Sequence, residues 1–144
     1  MKGQVVDKHG RRLDKELDDL KKKLLHMASI AETMIDKTVS ELVERDEKIA
    51  DPVPEYEEEL NRLQIDIDEE AIMLLATQQP VAGDLRFIIT ASKINSELER
   101  IGDLTINITE NVHTLLEEPP LKPLIDIPRM ADLARQMVRD VKRG

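Results

Sequence analysis

The sequence predicts an all-α protein, an antiparallel three-helix bundle followed by the first helix of a second, truncated bundle. Three observations point there. Apolar residues recur in alternating steps of four and three along three long stretches, the repeat of one helix face. Proline stands only at or beside the breaks between those stretches. No run of alternating β-branched residues lies between turn signals, so nothing reads as a sheet.

The first stretch carries Leu13, Leu17, Leu20, Leu24, Met27, Ala31, Met34 and Thr38 on one seam. Neither glycine nor proline interrupts residues 11–50. Asp51-Pro52 is expected to end this helix and start the next, with Asp51 as N-cap and the proline just inside. The second seam runs through Tyr56, Leu60, Leu63, Ile67, Ala71 and Leu74, and Gln78-Gln79-Pro80 breaks it. In the connection from Leu75 to Phe87, Pro80 and Gly83 are expected to shape the turn, with Asp84 capping the next helix or pairing with Arg86. The third seam is the most regular: Phe87, Ala91, Ile94, Leu98, Ile101, Thr105, Ile108, Val112 and Leu115. Pro119, Pro120 and Pro123 close it. A helix of roughly 30 residues is about 45 Å long, and three such rods joined by short connections pack antiparallel.

Asp126-Ile127-Pro128 then reads as another helix start. Arg129 to Val141 lies in register with His26 to Thr38: Met27, Ala28, Ile30, Ala31, Met34 and Ile35 fall on Met130, Ala131, Leu133, Ala134, Met137 and Val138. The reading is an internal repeat, the fourth helix opening a second bundle. Residues 1–118 form the first bundle and 119–144 the linker and first helix of an incomplete second one. That last helix has an apolar face and three possible fates: packing on the first bundle, pairing with another chain to give a homo-oligomer, or disorder.

Composition narrows the function. The chain has 144 residues, 35% of them charged, and a formal net charge of −9. Its basic clusters, Arg11-Arg12 and Lys21-Lys22-Lys23, are flanked by acids, which argues against nucleic-acid binding. Cysteine is absent, which excludes disulfides and thiolate chemistry. There is no signal-peptide core and no bilayer-length apolar run, so a cytoplasmic protein is expected. His9 and His26 have no partner pattern for nucleophilic or general-base work, and no glycine-rich phosphate loop occurs, so no enzyme is expected. Glu110-x-x-His113 is a single Glu-x-x-His, whereas a di-iron bundle needs two.

One pattern does carry chemistry. Within ELERIGDLTINI, Glu99, Asp103 and Asn107 stand four residues apart, on the side of the third helix opposite its seam. Neighbouring carboxylates at this spacing cost a few tenths of a kcal/mol in water, and a bound cation reverses the sign. An all-oxygen file suits hard ions such as Mg²⁺, Mn²⁺, Ca²⁺ or iron. Two carboxylates on one helix are too few, so a second helix or subunit must complete the site. The plain alternative is a solvated helix face. Asp66 and Glu70 repeat the acid pair on the second helix. Gly102, a residue that costs about 1 kcal/mol inside a helix, is expected where a neighbour comes close, and Arg100 pairs with Glu97 or faces water.

QQPVAGDLRFIITASKINSELERIGDLTINI, Gln78 to Ile108, resembles the most characteristic segment of the PhoU family. The likeness rests on Gln79, Pro80, Ala82, Asp84, Leu85 and Arg86, on Glu99 to Asp103, and on Asn107-Ile108, and runs from about Leu13 to Glu118. It implies two similar three-helix bundles and an acid-x-x-x-Asp metal motif on the surface, matched here by Glu99 and Asp103, holding iron, manganese or magnesium. It also implies a non-enzymatic negative regulator, touching the membrane only through its partners: the ATPase of a phosphate ABC transporter and a sensor histidine kinase. This chain departs in length, ending inside the first helix of the second bundle. The rival reading is a purely structural helical dimerisation module with no metal and no signalling role.

Overall fold

A computed structural model describes residues 2–116 and 126–143, all of them helical or in the turns between helices. The elements are α1 (Lys2–Glu44), α2 (Val53–Thr77), α3 (Ala82–Leu116) and α4 (Asp126–Arg143). The prolines expected to close α3 and the 119–125 part of the linker lie outside the described residues, as do the side chains of His9, Arg11 and Met130.

α1, α2 and α3 pack against one another in pairs, running up, down and up, and α4 packs on α1. The short corners enforce that order: residues 45–52 join α1 to α2, and 78–81 join α2 to α3. The seams of α1 and α2 bury as their periodicity demands. Leu20, Met27, Ala31 and Met34 from α1 meet Leu60, Ile67, Ala71 and Leu74 from α2, all fully or almost fully enclosed. With one Phe and one Tyr in the chain, methionine and leucine fill this core, and removing such side chains from water contributes roughly 1.5–3 kcal/mol each.

The α3 seam differs from the sequence reading. Ile88, Ala91, Asn95, Leu98, Gly102, Thr105, Thr109 and Val112 are buried, while Ile108 and Leu115 stay close to half exposed. The face is rotated by one position along its alternate rungs. Its own residues give the reason. A Cβ on Gly102 would lie 2.3 Å from Leu60 Cδ2, so only glycine lets Leu60 nest there. Asn95 Nδ2 donates to Gln64 O at 2.9 Å and to Asp68 Oδ1 at 3.3 Å, tying α3 to α2. Thr38 and Thr109 share a hydrogen bond of 2.8 Å between α1 and α3. Small and hydrogen-bonded groups permit closer helices than isoleucine does, and the displaced Ile101 and Ile108 form a flank instead.

The corners also differ. α1 ends at Glu44, short of Asp51-Pro52. Arg45 takes the left-handed conformation (φ 55°) and Asp46 N–H bonds to Glu41 O at 3.2 Å, the bond pattern of a Schellman cap built without glycine. Pro52 rather than Asp51 is the N-cap of α2. In the second corner Gln79 (φ 46°) and Ala82 (φ 47°) make the left-handed turns, and Gly83 does not. Asp84 sits in the first turn of α3.

Within the chain, α4 packs on the first bundle. It runs antiparallel to α1, with Arg135 ion-paired to Asp36 and Asp132 and Arg139 Nε 3.7 Å from Glu32 Oε1. Among the repeat positions, Ala131 and Val138 bury like Ala28 and Ile35. Leu133 and Met137 are 61% and 63% exposed, whereas their counterparts Ile30 and Met34, inside the bundle, are 5% and 0%. α4 therefore presents to solvent the face that α1 buries. Replacing Val138 by Asp is expected to undock α4 and leave α1–α3 folded, because an unpaired buried charge costs several kcal/mol. Amide exchange accelerated only within residues 129–141 is the result that checks it.

Candidate metal-binding face

The rotation of α3 gives it two unlike flanks. The apolar flank, with Ile101, Leu104, Ile108 and Leu115, borders α4 and opens into a groove of about 380 Å³ completed by Ile35, Val39 and Leu42 of α1 and Ala131 and Ala134 of α4. The other flank carries the acids. Glu99 is half-buried, while Asp103 and Asn107 are exposed. All three face outward from the core as expected, but not squarely opposite it: Glu99 stands at the edge of the packed face and α2 lies alongside.

α2 brings Glu57 to this edge. Leu60 settles on Gly102, and one turn earlier on α2 the Glu57 carboxyl faces the Asp103 carboxyl, with Glu110 close by. Partial burial, first, then the facing Asp103 carboxyl and the negative charge of Glu110, hold Glu57 above the usual carboxylate range. Two facing carboxyl groups share a proton or hold a cation between them. α2 thus places a carboxyl beside the acid file, and it is a residue that sequence reasoning missed. Glu57 sits in the acidic run EYEEEL, where the four glutamates look equivalent until Tyr56 and Leu60 fix the helix face.

The donor set fits a hard ion in chemistry: carboxylates from two helices, with the amide oxygen of Asn107 in the same file. It does not enclose one. Among the described residues no three His, Asp or Glu side chains stand in a ligating arrangement, so water or another oxygen ligand would complete the shell. The remaining acid pair does other work. Glu70 accepts Lys23 Nζ at 2.8 Å, bracing α2 on α1, and Asp66 is exposed.

His113 is drawn away from this file. Its Nε2 lies 2.7 Å from Glu41 Oε1, and Glu41 is wholly buried. Glu41 is a second residue the seam reading passed over, though it occupies the next rung after Thr38. His26 Nε2 lies 2.9 Å from Glu59 Oε1 between α1 and α2, and Arg100 is exposed. No helix among the described residues is long and apolar enough to cross a membrane.

Comparison with known proteins agrees with the helical bundle. Residues 24–112 match the model of the PhoU domain, which spans the three packed helices from Leu24 to Val112. A phosphate-specific transport system accessory protein PhoU homolog from Aquifex aeolicus is 39% identical over 129 residues, covering 90% of this chain and 58% of that protein. A homolog of the same description from Pseudomonas putida is 36% identical over 131 residues, covering 90% and 51%. PhoU homolog 2 of Thermotoga maritima is 34% identical over 129 residues, covering 90% and 55%. The chain spans little more than half the length of these relatives.

Proposed function

The chain belongs to the PhoU family, and from that premise we propose that it serves as a non-enzymatic accessory regulator of phosphate uptake, a metal-dependent adaptor. In this reading the bundle works in the cytoplasm. A divalent or trivalent ion (iron, manganese or magnesium) sits against Glu99 and Asp103, with Asn107 beside them and water completing its shell, while Glu57 faces Asp103 from across the helix interface. The ion removes the repulsion that the bare carboxylates impose on the edge of α2 and α3. A rigid, less negative face is then offered to the ATPase of a phosphate ABC transporter and to a sensor histidine kinase, and phosphate-starvation signalling is held down while phosphate is plentiful. The relatives' names support the transport role. The outward file of Glu99, Asp103 and Asn107 on α3, with Glu57 of α2 facing Asp103, is the observation that supports the metal.

Titration of Mn²⁺ or Mg²⁺ into the wild type and into Glu99→Ala/Asp103→Ala, followed by calorimetry, tests the ion. Affinity is expected to fall by at least tenfold in the double variant, and Glu57→Gln is expected to weaken binding as well. Equal binding by all three proteins removes the metal from the reading. Capture of the transporter ATPase and the kinase by the wild type, lost in the double variant, tests the adaptor role. The second reading, a structural dimerisation module, has the exposed Leu133 and Met137 face in its favour. Metal-independent dimers abolished by Met137→Glu, with neither membrane partner captured, would favour it.

A further inference from the structure

Glu41 is the carboxylate that the acid face does not use, and its surroundings are unlike those of any other acid described. It is 0% exposed at the end of α1. Oε2 accepts Ala50 N–H at 2.9 Å, which closes the corner between α1 and α2. Oε1 has no aligned hydrogen-bond donor, yet His113 Nε2 of α3 stands 2.7 Å from it. A buried carboxylate oxygen so placed is stabilised by positive charge or by a proton. The imidazole beside it is nearly half exposed and open to solvent protons.

We propose that Glu41 and His113 form a proton-operated latch: one proton taken up by the pair fastens the end of α3 to the corner between α1 and α2, and its loss loosens that attachment. The two positions of the proton, on the imidazole or on the carboxyl, both leave the pair neutral, so either one fastens it. Deprotonated, it leaves an anion enclosed at the junction of three elements.

The surrounding charges sharpen the effect. From the corner, Asp51 and Glu47 oppose the Glu41 anion, while His113 from α3 steadies it. On α1 the neighbouring charged groups are Lys37 and Glu44, and from the corner Arg45 Nη2 donates to Leu116 O at 3.3 Å, a second tie between the corner and the end of α3. On α3 the nearest acid along the helix is Glu110, one turn before His113. From α4, Arg135 and Arg139 turn to Asp36 and Glu32, further down α1. Burial, above all, pushes the Glu41 carboxyl up from its ordinary range. The sign follows. A carboxyl raised on folding holds more protons in the folded chain than in the unfolded one, so stability falls as the pH rises through the folded value and is regained on acidification.

The test is amide exchange by NMR on the full chain at pH 8, 7, 6 and 5, corrected for intrinsic rates and normalised to core amides such as Leu24. Protection of Ala50 and of residues 112–116 is expected to rise on the order of tenfold from the alkaline to the acid end of that series in the wild type. Glu41→Gln keeps an acceptor for Ala50 N–H and is expected to flatten the profile. His113→Gln, at a solvent-accessible position, folds regardless and is expected to flatten it too. A flat wild-type profile, or one that His113→Gln leaves unchanged, overturns the latch.

Discussion

Replacing Gly102 by Val is expected to destabilise the chain by about 3 kcal/mol, lowering Tm by about 10 °C. The added Cβ alone would stand 2.3 Å from Leu60 Cδ2, with Met34 Cε at 4.0 Å behind it. Leu60 and Met34 are both fully buried, so neither side chain has free space to move into. Alanine is the milder change. It meets the same clash, but gains about 1 kcal/mol in helix propensity over glycine, so its net cost is expected to be smaller. The order Gly, Ala, Val in thermal or urea denaturation separates close packing from backbone freedom, since propensity by itself predicts that both substitutions stabilise. Leu60→Ala removes the colliding atoms. Alone it opens a cavity and costs roughly 2–5 kcal/mol. Combined with Gly102→Ala it is expected to cost less than the two single changes together, by about 1–3 kcal/mol. Additive effects would mean that Leu60 does not nest on Gly102.

The same contact sets the candidate site. Gly102 precedes Asp103, and Leu60 follows Glu57 by one turn, so the seating of Leu60 on Gly102 is what sets the two carboxyl groups facing each other. Gly102→Val is therefore expected to weaken Mn²⁺ binding even at temperatures where the protein remains folded.

Helices and their order were legible in the sequence because a seam of four-three steps is a property of one chain segment. The seams of α1 and α2 needed no partner to be read: leucine, isoleucine and methionine fill their rungs. α3 misled because its face is chosen by its neighbours. Ile94, Ile101 and Ile108 outrank Asn95, Gly102 and Thr109 on hydrophobicity alone. The latter are nonetheless buried, because a glycine admits Leu60, an asparagine reaches Gln64 and Asp68, and a threonine pairs with Thr38. Those gains belong to pairs of residues far apart in the chain. The site followed the same division. Glu99, Asp103 and Asn107 announce themselves by spacing on one helix, whereas Glu57 joins them only through the α2–α3 packing. Glu41 was readable in principle, as a charged residue on a seam rung, and a charge there demands a partner.

Asn95→Asp is expected to be the most damaging near-isosteric change in the chain, costing about 3–5 kcal/mol at pH 7. Asn95 is wholly buried, and its amide donates to Gln64 O and Asp68 Oδ1. A carboxylate of the same shape has no donor to offer. It would set oxygen against the Gln64 carbonyl and negative charge against Asp68, itself held by Gln64 Nε2 at 3.0 Å. Against a stability of 5–15 kcal/mol for an ordinary domain, this loss leaves little margin. Asn95→Leu provides the contrast. It removes the same hydrogen bonds without adding charge, and Gln64 O keeps its place within α2, so the expected cost is about 1–2 kcal/mol. Acidification should then close the gap between the two variants. The introduced carboxyl, buried beside an acid, has its folded value raised above about 3.9. The penalty it causes is complete above that folded value and disappears as the pH falls toward the unfolded one, where the protonated acid can again donate to Gln64 O. Urea denaturation of both variants and the wild type at pH 7 and near pH 4 reads this directly. If Asn95→Asp remained as stable as Asn95→Leu at pH 7, the buried amide would not be the tie that fixes the rotation of α3, and the flank on which the acid file stands would need another cause.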